Sequence, residues 1–102
     1  MEERFQLIDN CLMIRMPEEI DHHRAAGISE WADRYIMAEP VKNIVFDFEE
    51  TNFMDSSGIG IIVGRYKKVN CFGGTVYAVH ANSRIQKIIQ LSGLKQVLHV
   101  IE

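Results

Sequence analysis

Apolar and polar positions alternate through residues 4–8, "RFQLI", and again through residues 11–16, "CLMIRM". A period of two predicts strands with one buried face. Asp9 and Asn10 lie between the two runs, and both residue types tolerate the positive φ of a tight hairpin turn. Pro17 closes the second strand, and "EEIDHH" reads as a connecting loop. From residue 23 to residue 37 the pattern turns helical. Ala25, Ala26, Ile28, Ala32, Tyr35 and Ile36 form a broad apolar stripe, with Asp21 placed to cap it and Pro40 to stop it.

The run "VKNIVFDF" has an almost unbroken apolar centre, which suits a strand of a parallel sheet covered on both faces. Asp55, Ser56 and Ser57 then open a second helix, running from Gly58 to about Val69. "NCFGG" is a turn, and "TVYAVH" is a strand rich in β-branched and aromatic residues. Asn82 or Ser83 caps a third helix carrying Ile85, Ile88 and Ile89. Gly93 sits where a C-terminal cap belongs, and "QVLHVI" forms a last strand. The predicted order is β-β-α-β-α-β-α-β: a single α/β domain over residues 1–102, with three helices on a mixed, mostly parallel sheet of four or five strands.

Composition narrows the function classes. The 102 residues are enough for one core, 47% are apolar, and the formal net charge is −3. No basic stripe is available to neutralise phosphates, so nucleic acid is not the expected partner. No apolar run approaches the roughly 20 residues that span a bilayer, and "MEERFQLID" lacks the basic start and apolar stretch of a signal peptide. A cytoplasmic location without membrane attachment is expected. Cys11 and Cys71 then read as buried or half-buried free thiols.

The segment "FMDSSGIGIIVG", residues 53–64, concentrates the candidate chemistry. Its glycines at 58, 60 and 64 miss the dinucleotide fingerprint by one residue. The strand "TVYAVH" also ends without the acidic residue that would hold a ribose. Gly60 and Gly64 share one helix face and read instead as allowing close approach to the sheet. A hydrolase is disfavoured because D-S-S-G is not a nucleophile elbow, and no histidine has a telling spacing to a carboxylate. His22 and His23 are adjacent and diverge on one turn, so a shared metal ion is disfavoured. No catalytic residue, metal or cofactor is expected. Three short polar residues exceed what a cap requires. Phe53 and Met54, placed before them in an exposed loop, suggest a surface read by another protein. Ser56 at a helix N-terminus could accept a phosphate without loss of the helix, and the added charge would act on a docked partner.

Those same residues, "FMDSSGIGIIVGRYK", together with "EIDHHRA" and "IQLSGL", resemble bacterial anti-sigma factor antagonists of the STAS domain family, most of all its sporulation branch. The resemblance covers nearly the whole chain. It implies a non-catalytic regulator that binds an anti-sigma factor with serine kinase activity and so releases the sporulation sigma factor F. It implies phosphorylation of Ser56 by that kinase as the inactivating step, and reversal by a PP2C-type phosphatase. Asp21, His22, Phe53, Met54, Asp55, Ser56, Ser57 and Gly58 then form the partner-binding surface of a protein that is monomeric when free. Another partner-switching pathway, such as general stress or a stressosome-like assembly, is the alternative, and nucleotide binding a more distant one. Two departures stand out: Pro17-Glu18-Glu19-Ile20 replaces the usual small Gly-Glu pair, and the sequence stops at Glu102 where relatives commonly continue into a fourth helix.

Overall fold

Positive φ angles at Asp9 (49°) and Asn10 (67°) close the first hairpin, which pairs β1 (Phe5–Ile8) antiparallel to β2 (Cys11–Arg15). The computed structural model describes residues 3–102. After the hairpin come β3 (Glu19–Ile20), α1 (His22–Ala38), β4 (Asn43–Asp47), β5 (Phe53–Met54) and α2 (Ser56–Asn70). They are followed by β6 (Val76–Val79), α3 (Ser83–Leu91), a 3-10 turn (Leu94–Gln96) and β7 (Leu98–Ile101). The predicted order therefore holds with two short strands inserted, β3 and β5.

The main sheet runs β1-β2-β4-β6-β7, parallel from β2 onward. Each crossover, through α1, α2 and α3, advances to the next strand in the same direction. Right-handed crossovers that never reverse direction place every helix on one face. The row Leu12, Ile44, Val76 and Leu98 and the row Phe5, Ile14, Phe46 and Ala78 are buried beneath those helices. Helix residues Ala25, Ile28, Ala32, Ile61, Ile62, Val69, Ile85 and Ile89 complete the same core.

On the other face Met13, Val45 and Tyr77 are only half-buried and His99 is exposed. The expectation that β4 is covered on both faces is thus corrected. Its unbroken apolar run reflects a half-exposed Val45 beside the buried Ile44 and Phe46. A sheet whose order never reverses also lacks the crevice in which dinucleotides bind.

Between α1 and α2, Arg65 Nε lies 3.3 Å from Asp33 Oδ1, with Lys68 Nζ at 3.9 Å. The Arg65 side chain is 9% exposed, and its contact with Asp33 falls short of hydrogen-bond geometry. Thr51, fully buried, ties three loops at the carboxyl ends of the strands. Its hydroxyl donates to the Pro17 carbonyl at 2.8 Å, and its own carbonyl accepts from Asn82 Nδ2 at 3.1 Å. Asn82, not Ser83, caps α3, its Oδ1 accepting from Ile85 N at 2.9 Å. Gly93 follows α3 in the left-handed region, φ 78°, and turns the chain into the 3-10 segment. Both cysteines are free thiols. Burial pushes the Cys11 thiol up from its ordinary pKa, while Cys71 is exposed, against expectation, at the end of α2.

Candidate functional site: a paired helix start around Ser56

The residues expected to act together come from two distant segments, and the short strands join them. Within residues 18–23, expected as a loop, Glu19–Ile20 instead pairs with Phe53–Met54, expected as an exposed apolar pair, in a two-stranded parallel sheet. Glu19 pairs with Phe53 and Ile20 with Met54. Asn52 N donates to Glu18 O at 2.8 Å, and Asp55 N donates to Ile20 O at 3.1 Å. Ile20 and Met54 point inward and are buried, whereas Phe53 is 50% exposed. Met54 is therefore not a surface residue, and it supports the site from beneath. Two residues are too few for periodicity to reveal a strand, which is why this pairing escaped the sequence pattern.

The residue after each of these strands caps a helix. Asp21 Oδ1 accepts from Arg24 N at 2.9 Å at the start of α1. Asp55 Oδ1 accepts from Ser57 N at 2.8 Å at the start of α2. The backbone bond from Arg24 holds the Asp21 carboxyl below the ordinary aspartate pKa, with the charges of Arg24 and His23 adding to it. Arg24 Nη1 also lies 3.3 Å from Asp21 Oδ2.

Capping is thus done by Asp55 alone, and α2 starts at Ser56, two residues before Gly58. Ser56 is the first helical residue and is exposed; its hydroxyl has no hydrogen-bond partner among the described residues. Ser57 is half-buried and already inside the helix. Gly58 is buried, and a Cβ there would lie 2.9 Å from Met54 Cβ and 3.1 Å from Ile20 Cγ2. At Gly60 and Gly64 an added Cβ meets nothing within 4 Å. The close approach expected of those two glycines belongs to Gly58. His22, beside Asp21, is exposed on the first turn of α1.

One flank of the site was not anticipated. Phe53 lines a shallow groove with Ser83, Arg84, Lys87 and Ile88 of α3. The spacing of Arg84, Lys87, Ile88 and Leu91 along one helix edge was visible in the sequence. Their position beside Phe53 depends on the fold. Leu91 remains 76% exposed.

The sequence matches the STAS domain over residues 4–102. The chain belongs to the STAS domain family. The anti-sigma F factor antagonist of Paenibacillus polymyxa is 32% identical over 91 residues, covering 89% of this chain and 78% of that protein. The anti-sigma-B factor antagonist of Staphylococcus aureus (strain NCTC 8325 / PS 47) is 33% identical over 61 residues, 60% of this chain and 56% of that protein. Among solved structures, the anti-sigma factor antagonist SpoIIAA in its unphosphorylated form superposes with a TM-score of 0.85 at 27% identity, covering 96% of this chain and 86% of that one. The Bacillus SpoIIAA in phosphorylated form gives a TM-score of 0.74 at 29% identity, covering 96% and 91%. This STAS domain is accordingly an anti-sigma factor antagonist, a regulator and not an enzyme. No described helix is long and apolar enough to cross a membrane.

Proposed function

We propose that this STAS domain, a single domain over residues 1–102, is a cytoplasmic, phosphorylation-switched antagonist of an anti-sigma factor that is also a serine kinase. Unphosphorylated, it binds that kinase and releases sigma factor F. The kinase transfers the γ-phosphoryl group of ATP to Ser56 Oγ, ADP leaves, and the modified protein no longer binds. A PP2C-type phosphatase hydrolyses the phosphoserine and restores the binding form. The free protein is a monomer and presents Asp21, His22, Phe53, Asp55, Ser56 and Ser57 to the kinase, with Met54 and Gly58 fixing their positions from below.

The observation that carries this reading is the exposed Ser56 hydroxyl on the first residue of α2, without a hydrogen-bond partner among the described residues and beside two helix-capping carboxylates. A phosphate there adds about −1.5 to −2 charges to a surface that already carries Asp21 and Asp55. The helix dipole tolerates that charge, so the fold persists while a docked partner experiences repulsion and a desolvation cost. Relatives named for sigma F antagonism cover more of this chain than those named for sigma B, which favours the sporulation pathway; general stress is the second reading.

Incubation with ATP and purified anti-sigma F kinase, followed by phosphosite mapping, tests the proposal. Stoichiometric phosphate on Ser56 is expected. Phosphate on Ser57, or labelling only by an anti-sigma B kinase, would contradict the site or the pathway respectively. Retention of ATP by the protein alone would instead favour the nucleotide-binding alternative.

A further inference from the structure

The parallel register of β4 and β6 sets Asp47 opposite Val79 and so places His80, the next residue, beside the end of β4. Asp47 Oδ1 lies 3.0 Å from His80 Nδ1 and accepts from Glu49 N at 3.0 Å. One ligand atom from each of Asp47, Glu49 and His80 lies within 4.8 Å of the others. A charge-assisted bond joins Asp47 and His80, and the exposed Glu49 carboxylate adds a second negative charge facing the same imidazole.

Three anionic or imidazole ligands converging from two strand ends are a donor set for a divalent transition ion. Arg4 and Arg15 share a surface depression with Asp47 but pair with Glu50: Arg15, the register partner of Asp47, places Nε 3.5 Å from Glu50 Oε2, and Arg4 Nη1 lies 4.0 Å from Glu50 Oε1. His80 is held in the left-handed region, φ 60°, and its side chain is 61% exposed, so the imidazole borders solvent.

We propose that Asp47, Glu49 and His80 form a surface site for Zn²⁺. Zinc takes imidazole nitrogen and carboxylate oxygen at about 2.0–2.2 Å, and water would complete its coordination. The Nδ1 proton leaves on binding, and a small rotation of the exposed Glu49 side chain closes the set. A bound ion would tie the end of β4 to the turn before α3. That turn carries Asn82, whose amide holds the Thr51 carbonyl, two residues before Phe53. The ion would thereby brace the loop that leads to Ser56.

The test is a ZnCl₂ titration of the full chain followed by amide chemical shifts, with calorimetry on variants. One equivalent is expected, with shifts centred on residues 47–49 and 80. His80→Asn, which tolerates left-handed backbone, should weaken binding at least about tenfold. Glu49→Gln, at an exposed side chain, should weaken it as well, whereas the double variant His22→Ala/His23→Ala should bind as the parent does. Shifts centred on His22 and His23 or on Cys71, an isotherm unchanged by His80→Asn or by Glu49→Gln, or no shifts up to about 1 mM zinc would overturn the proposal.

Discussion

Met54 and Gly58 approach so closely that a Cβ on Gly58 would sit 2.9 Å from Met54 Cβ and 3.0 Å from its Sδ. The β3–β5 sheet pins Met54, and the first turn of α2 crosses directly over it. Gly58→Ala should therefore overpack the contact and destabilise the domain by about 1–3 kcal/mol in denaturant unfolding. Gly60→Ala and Gly64→Ala enter open space on a helix and should stabilise it by about 0.5–1 kcal/mol each. Equal effects at all three positions would refute this assignment of the close approach.

Asp55 satisfies Ser57 N–H, and among the described residues no other side chain caps α2. Asp55→Ala should cost about 1 kcal/mol and speed hydrogen exchange at the Ser57 amide, while Asp55→Asn should retain most of the stability.

Ser56 is exposed, and its side chain makes no hydrogen bond among the described residues. Ser56→Asp should leave the unfolding midpoint nearly unchanged and weaken binding to the proposed anti-sigma kinase at least about tenfold, a coupling of about 1.4 kcal/mol. Surface plasmon resonance against the kinase, paired with a melting curve, reads both quantities. Loss of the fold on this substitution would contradict the helix-end argument.

Asp21 titrates below its ordinary value because the Arg24 amide hydrogen-bonds its charged form. A carboxyl whose folded-state pKa is depressed contributes stability that is present above the unfolded-state pKa. That contribution disappears as pH falls through the folded value. An NMR titration should place the Asp21 carboxyl below 3.8, with the Arg24 amide shifting in step. Asp21→Asn keeps a capping oxygen and should remove this part of the acid sensitivity. An unshifted titration would mean that the cap is not formed in solution.

Much of the site was legible because capping is local. Asp21 and Asp55 each need only a backbone N–H two or three residues away, so a short polar residue before a periodic apolar stretch reveals them. Spacing alone left Ser56 and Ser57 together as helix-end hydroxyls; the family resemblance singles out Ser56, and the fold leaves Ser56 exposed and Ser57 half-buried. The roles of Met54 and Gly58 were not legible. A two-residue strand carries no period, and the contact between these residues depends on Ile20, 34 positions before Met54, which arrives only through β3. The flank of Phe53 by Arg84, Lys87 and Ile88 likewise depends on where α3 lands.

By itself the sequence determined the local grammar of this protein: the hairpin at Asp9-Asn10, three capped helices, and the parallel strands between them. Each of these follows from interactions within a few residues, or from a repeat of about 2 or 3.6 that marks one face for burial. Only the tertiary structure decided which faces are covered. Ile44, Val45 and Phe46 are similarly apolar, yet Val45 is left half-exposed because every crossover advances in the same direction and right-handedness then puts all three helices on one side. The pairing of Ile20 with Met54 is long-range in the same way, and it brings the Asp21 and Asp55 caps together beside Ser56.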